Sequence, residues 1–312
     1  MSRSRHTALF ALITVAALTL TACAEPAGPA GGGSDRASSK GKTPTTDVVS
    51  KVRKDEAAAK LLPAGVREAG TLRIASSVGA PPGAFYGEDG STVAGADIDF
   101  ADAAARVLGL ELKREVASFE AILPALGSGK YDLGTGNFGV TDVRRRTIDF
   151  VTYINDGQGF AVREDSGLKK VTDLTQLCGL DVATGAGTTF EVTLQENLPR
   201  CAEAGKKPYN VKTYADQAAV WISLQQNRSD VVMSTINGLR YAVSQQEGLR
   251  FLNEFKRLDV GFAFKKGTPL APAFQAAVNR LKEDGTYDRI LKKWGTSESA
   301  IETSEISPPE LK

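Results

Sequence analysis

"YDLGTGNFGVTDVRRRTIDFVTYI", residues 131–154, is the stretch on which the fold turns. Asp132 leads a short apolar run into a loop spaced by Gly134, Gly136 and Gly139. Thr141, three consecutive arginines and a second apolar run follow. A strand that ends in small residues and passes into a capped turn is how a parallel βα unit begins. Thr141 has the side chain for an N-cap. Arg144 would then sit in the first turn, where a cation opposes the positive helix end unless an anion stands beside it. Either one of the three arginines has an anionic partner, or all three lie on a solvated face.

The pattern repeats on both sides. "TLRIAS" (71–76) and "LELKREV" (110–116) read as strands. Between them, "DIDFADAAARVLG" (97–109) puts Ile98, Ala101, Ala105 and Leu108 on one helical stripe that Gly109 ends. "SFEAILPALGSG" (118–129) reads as a helix with Phe119, Ile122, Leu123 and Leu126 inward, kinked or broken early at Pro124. Further along, "GLDVATG" and "DVVMST" are again strands running into loops. "GTTFEVTLQENL", "ADQAAVWISLQQN" and "LAPAFQAAVNRLKED" carry helical periodicity. Such alternation makes an α/β protein with parallel βαβ units. Two runs interrupt it, "GQGFAV" (157–162) and "DVGFAF" (259–264). Both read as extended strands, either a pair crossing between two α/β lobes or two unrelated core strands.

The chain has 312 residues and a net charge of +1, with no basic run interleaved with aromatics, so no nucleic-acid partner is expected. Its only histidine is His6, which leaves the rest without an imidazole relay or imidazole metal site. At the N-terminus, Arg3, Arg5 and His6 precede the apolar "TALFALITVAALTLTA", and "LTAC" (20–23) resembles a bacterial lipobox. That resemblance implies a lipoprotein signal peptide over 1–22, with diacylglycerol on the Cys23 thiol and acylation of the new N-terminus, hence an exported protein lipid-anchored to the outer face of the cell membrane. The Gly-, Pro- and Ser-rich segment after it reads as a flexible tether, residues 23–69. Cys178 and Cys201 remain, and in an oxidising compartment they are expected to form one disulfide.

Four stretches in order carry a resemblance to the family 3 extracellular solute-binding proteins of ABC transporters, the polar-amino-acid binding type. "GADIDFADAAA" (95–105) is similar to the family's Gly-x-Asp-x-Asp signature, and "ASFEAILPAL" (117–126) to its Phe-x-x-Leu-Ile-Pro helix. Residues 131–154 resemble its long central motif, and "GTYDRILKKWG" (285–295) its Tyr-x-x-Ile-x-x-Lys-Trp ending. The resemblance implies a two-lobed periplasmic-binding-protein-like fold of type II, its lobes joined by two hinge strands with a ligand cleft between. Lobe I would span 70–160 plus 260–298, lobe II 161–259, and a C-terminal tail 299–312. It further implies a monomeric, non-enzymatic component of an ABC importer, without cofactor or metal, that binds an amino acid or related small carboxylate and delivers it to a permease. A sensor without transport, or a dehydratase on the same scaffold, are the alternatives.

Residue by residue, the resemblance makes Arg144 the ligand-carboxylate grip and leaves Arg145 and Arg146 to the surface. Phe119 matches the aromatic covering the ligand, or else a core residue of its helix. Gly136, Asn137 and Gly139 match the loop offering backbone groups, and Thr188 and Thr189 the lobe II helix start. Ser77 and Thr235 stand where the family usually has aspartates that hold the ligand amine; Asp156, Glu120 and Asn237 are substitute acceptors.

Overall fold

The computed structural model describes residues 43–312, so the expected signal peptide, Cys23 and the tether up to residue 42 lie outside the described residues. Two short helices come first, α1 (Glu56–Lys60) and α2 (Ala64–Ala69). The first lobe then runs β1 (Thr71–Ser76), a small hairpin of β2 (Phe85–Tyr86) and β3 (Val93–Ala94), α3 (Ala96–Leu108), β4 (Glu111–Val116), α4 (Phe119–Gly127) and β5 (Leu133–Gly139). After β6 (Ile148–Arg163) the second lobe supplies β7 (Asp181–Gly185), α5 (Thr189–Asn197), α6 (Pro199–Glu203), β8 (Asn210–Tyr214), α7 (Gln217–Gln225), β9 (Val231–Thr235) and α8 (Ile236–Gln245). β10 (Leu249–Lys265) leads to α9 (Ala271–Glu283) and α10 (Thr286–Trp294).

One eight-stranded sheet, ordered β4-β1-β5-β10-β6-β9-β7-β8, runs through both lobes. Each lobe holds three parallel strands joined by helical crossovers, since parallel neighbours cannot be linked by a tight turn. The long antiparallel pair β6 and β10 stitches them together: β10 also pairs with β5, and β6 with β9. The two Gly-Phe-Ala runs lie on this pair at opposite ends. Gly157 faces Arg257 and Asp259 faces Asn155, so neither run faces the other. Both strands cross between the lobes where residues 154–158 meet 256–260.

Each lobe has its own core. Phe100 of α3 packs among Tyr153, Phe262, Phe274, Tyr287 and Trp294, which ties α9 and α10 to the first lobe. Phe160, Leu177, Val182, Leu194, Val231 and Met233 form the second core, beside the Cys178–Cys201 disulfide, whose Cα atoms are 5.7 Å apart. Helix α3 ends as its glycine predicts, with Gly109 left-handed at φ 69°. Pro124 stays inside α4, which carries on to Gly127.

Three expectations need correction. The tether does not extend to residue 69: Val52, Ala58 and Leu62 are buried in the first core, where the apolar faces of a short helix find partners that local composition does not reveal. Residues 299–312 are no loose tail, because Ile306 bridges to Val151 and Glu305 exchanges hydrogen bonds with Thr152 of β6. Thr141 does not start a helix: a single 3-10 turn, Arg144–Arg146, is all that forms before the chain enters β6. Val143, not Thr141, holds the N-cap position of that turn, although the Thr141 hydroxyl accepts the Arg144 N–H at 3.2 Å.

Candidate functional site

The carboxyl ends of the parallel strands of both lobes converge on one cleft, the place where open α/β sheets bind ligands. The loop after β1 contributes Ser77 to Ala84, the start of α4 Phe119, and β5 Gly136 and Asn137; Arg144 enters from the turn that follows. From the second lobe come Thr188 and Thr189 after β7, Tyr214, Asp216 and Gln217 after β8, and Thr235 and Asn237 after β9. The lobes touch at the rim. A Cβ on Gly187, which is left-handed at φ 71°, would come within 2.9 Å of the Glu120 Cβ, so glycine allows this approach.

Arg144 is a partly buried cation without an ion-pair partner among the described residues. Its Nη1 donates to the Gly139 carbonyl at 3.1 Å and its Nη2 to the Gly187 carbonyl, in the second lobe, at 3.3 Å. Its guanidinium lies 5.8 Å from the Phe119 ring centroid. Burial pushes its pKa down to about 10, and among the described residues no carboxylate pairs with it. Its neighbours differ: Arg145 pairs with Asp142 at 2.7 Å and Arg146 is exposed. A desolvated guanidinium keeps most of its fork free for an anion with two oxygens.

The buried carboxylates are handled in the opposite way. Asp97, at the start of α3, accepts the Tyr153 hydroxyl at 2.7 Å on one oxygen and the Asn137 N–H at 3.0 Å on the other. Asp156 of β6 accepts the Asn137 side-chain amide at 3.1 Å and the Asn237 N–H, at the start of α8, at 3.2 Å. Asn137 is therefore the link between them, and it is held left-handed at φ 54°. Burial raises the pKa of both acids, that of Asp156 to about 6. Asn237 in turn binds Ser299 through its amide at 2.9 Å.

Of the residues singled out from sequence, Ser77, Phe119, Gly136, Asn137, Arg144, Thr188, Thr189 and Thr235 line the cleft. Gly139 does not; its carbonyl anchors Arg144 instead. Asn137 donates its N–H to Asp97. The Thr188 hydroxyl caps α5, accepting the Glu191 N–H at 3.2 Å and donating to the Gly185 carbonyl at 2.7 Å. Thr235 caps α8 by accepting the Gly238 N–H at 3.0 Å. Glu120 stands at the Gly187 contact, outside the lining. Asp97, Tyr214, Asp216 and Gln217 line the cleft without having been singled out. The last three sit where β8 ends, so the rule that strand ends bear the site would have found them.

Comparison with known proteins agrees with this fold. The family model for bacterial extracellular solute-binding proteins, family 3, matches residues 72–297. The arginine-binding protein ArgT of Corynebacterium glutamicum is 28% identical over 256 residues, covering 80% of this chain and 83% of its own. The L-cystine-binding protein TcyJ of Escherichia coli is 28% identical over 234 residues, covering 73% and 84%. Among solved structures, an ancestral arginine-binding protein bound to arginine superposes with a TM-score of 0.65 at 31% identity, over 72% of this chain and 98% of that one. An ancestral amino acid-binding protein, a precursor of cyclohexadienyl dehydratase, gives a TM-score of 0.66 at 27% identity, over 74% and 97%.

Proposed function

The chain belongs to the bacterial extracellular solute-binding proteins, family 3, and from that premise we propose that it is the lipid-anchored binding component of an ABC importer. It takes an amino acid or related small carboxylate into the inter-lobe cleft and presents it to a permease. Arg144 carries the reading: it is a guanidinium brought into a cleft wall, partly desolvated and left without a carboxylate among the described residues. Uncompensated buried charge is costly, so such a group implies an anion that arrives from outside.

In this reading the ligand carboxylate docks against the Arg144 fork. The carbonyls of Gly139 and Gly187 hold that fork in place, and Phe119 covers it. Thr188 and Thr189 bring the N-terminus of α5, a nine-residue helix, to the same wall, where its dipole favours negative charge. The Arg144–Gly187 bond joins the two lobes, so a ligand that neutralises Arg144 favours the closed arrangement over an open one. The named relatives are binding proteins, which supports a role without turnover. A sensor would use the same closure without a permease. The ancestral neighbour on the path to a dehydratase is the reason to test for catalysis.

Isothermal titration of the purified protein against amino acids and organic acids tests this. Saturable binding of at least one carboxylate, with the ligand recovered unchanged by mass spectrometry, is the expected result. Recovery of a dehydrated product would make the protein an enzyme. Failure of every carboxylate in the panel, with none co-purifying in native mass spectrometry, would remove the basis of the reading.

A further inference from the structure

Resting on that carboxylate-binding reading, we infer that the cleft selects small carboxylates whose neighbouring substituent is uncharged, a hydroxyl, keto or acylamino group, over free α-amino acids. A free amino acid carries its ammonium one carbon away from its carboxylate. With the carboxylate on Arg144, the ammonium lies in the same desolvated zone and needs an anionic acceptor within hydrogen-bond reach.

The buried carboxylates around the cleft are each committed elsewhere, and the one exposed acid in the lining, Asp216, faces water. Asp97 is 2% exposed, with one oxygen under the Tyr153 hydroxyl and the other under the Asn137 N–H. Gly83 closes over the second oxygen, which a Cβ there would meet at 3.4 Å. Asp156 is fully buried outside the lining, with its oxygens on the Asn137 amide and the Asn237 N–H. Glu191 binds the Gly187 N–H at 2.7 Å, and neither it nor Glu120 lines the cleft. Asp216 does line it, but it is exposed and one of its oxygens caps α7 through the Ala218 N–H at 2.9 Å, so water screens it. Beside Arg144 the cleft wall offers the neutral Ser77, Thr235, Asn237 and Gln217, and two acids, the hydrogen-bonded Asp97 and the exposed Asp216. Hydroxyls and amides suit a hydroxyl, a carbonyl or an amide N–H and leave an ammonium without a counter-charge. The cleft thus has one unpaired cation drawn into its wall and, Asp216 being exposed to water, no buried anion with an oxygen free of a donor, which matches a ligand with a net negative charge at that end.

The decisive experiment is a calorimetric series on the full chain with matched ligands. For each of three side chains (arginine, glutamine and leucine) the free amino acid, its N-acetyl form, its 2-oxo acid and its 2-hydroxy acid are titrated. We expect the uncharged forms to bind at least tenfold tighter than the free amino acid for the best-fitting side chain. Equal or tighter binding of the free amino acid overturns the inference while leaving the carboxylate reading intact; Asp97 would then be the acceptor. Absence of binding across the whole series, together with no co-purified carboxylate, sinks both. The Thr235→Asp variant supplies a second readout. Aspartate is as good an N-cap as threonine, so α8 keeps its start, and a carboxylate is placed on the cleft wall. The variant should shift the preference at least tenfold toward the free amino acid. A folded variant with unchanged preference overturns the inference.

Discussion

Two regions of one cleft treat buried charge in opposite ways. Arg144 is desolvated and unpaired, and its only described side-chain hydrogen bonds go to two carbonyls. Asp97 and Asp156 are at least as deeply buried, yet each oxygen of each has a donor. The difference separates what the protein has built for a ligand from what it has built for itself. A fully satisfied polar network holds structure, whereas a charge left open at a wall calls for a partner that arrives later. The sharpest way to break this contrast is Arg144→Gln. Binding of the preferred carboxylate should weaken by on the order of 100-fold or more, the scale of removing one member of a buried charge pair. The thermal transition without ligand should hold or rise, because the substitution removes an uncompensated cation. A variant that binds normally, or that melts well below the parent, would put Arg144 on the structural side of the divide.

The carboxylate side has its own signature in pH. The pKa of Asp156 is raised to about 6 by burial, with the Asn237 and Asn137 hydrogen bonds only partly opposing it. An unfolded aspartate titrates near 4, so between those values the folded state binds the extra proton. Stability from this group is therefore greatest below about pH 4, falls as pH rises to about 6, and is flat above. A carboxyl pKa raised from near 4 to about 6 corresponds to roughly 3 kcal/mol. Three of the carboxylates with lowered pKa, Asp47, Asp89 and Asp173 at about 2, act below that window and in the other direction. Urea unfolding at pH 4, 5, 6 and 7 should show the parent losing stability relative to Asp156→Asn across pH 4 to 6. Parallel curves would mean that Asp156 stays charged in the folded protein, and the contrast with Arg144 would lose half its content.

The same contrast explains what could be read from the sequence. Arg144 was legible through the resemblance to the family's central motif, whose parts are all local: a glycine-spaced strand end, Thr141, and an arginine three residues on. The strand and helix alternation was legible for the same reason, and α3 falls within a residue of its periodic stripe. The carboxylate network was not, because Asn137 reaches partners 40 and 19 residues away and its left-handed backbone leaves no mark in composition. Nor was the burial of Val52 and Leu62, whose neighbours belong to a core assembled mainly from later residues. Local patterning announces elements and single motifs; pairing between distant elements becomes visible only once the chain has folded.

Asn137 is the next place to press. Its side chain joins Asp156 and its backbone joins Asp97, and φ 54° is a conformation that alanine resists. Asn137→Ala should cost about 2 kcal/mol, from backbone strain of about 1 kcal/mol and a lost hydrogen bond to a buried carboxyl of similar size. Asn137→Gly relieves the strain and keeps the backbone donor, so by calorimetric melting it should lose less than the alanine variant. Equal losses would assign the whole effect to the amide and none to the backbone.

Tyr153→Phe is the mildest cut and the most discriminating. The ring stays: it is stacked on Phe262 at 4.5 Å between centroids and tilted against Phe100 at 5.3 Å, so packing is nearly conserved. Only the hydroxyl that donates to Asp97 disappears. A neutral hydrogen bond of this kind is worth about 1 kcal/mol net, and a bond to a charged carboxylate about twice that. Burial raises the pKa of Asp97, so the protonated form persists to higher pH than in an exposed aspartate. The loss on removing the hydroxyl should therefore be small in acid and should grow toward alkaline pH, as more of Asp97 carries charge and needs the donor. Unfolding measured at pH 5 and pH 8 separates the cases. A larger loss at pH 8 confirms that the network guards a charge. An equal loss at both means that Asp97 keeps one protonation state across that range, neutral if the loss is about 1 kcal/mol and charged if it is about twice that.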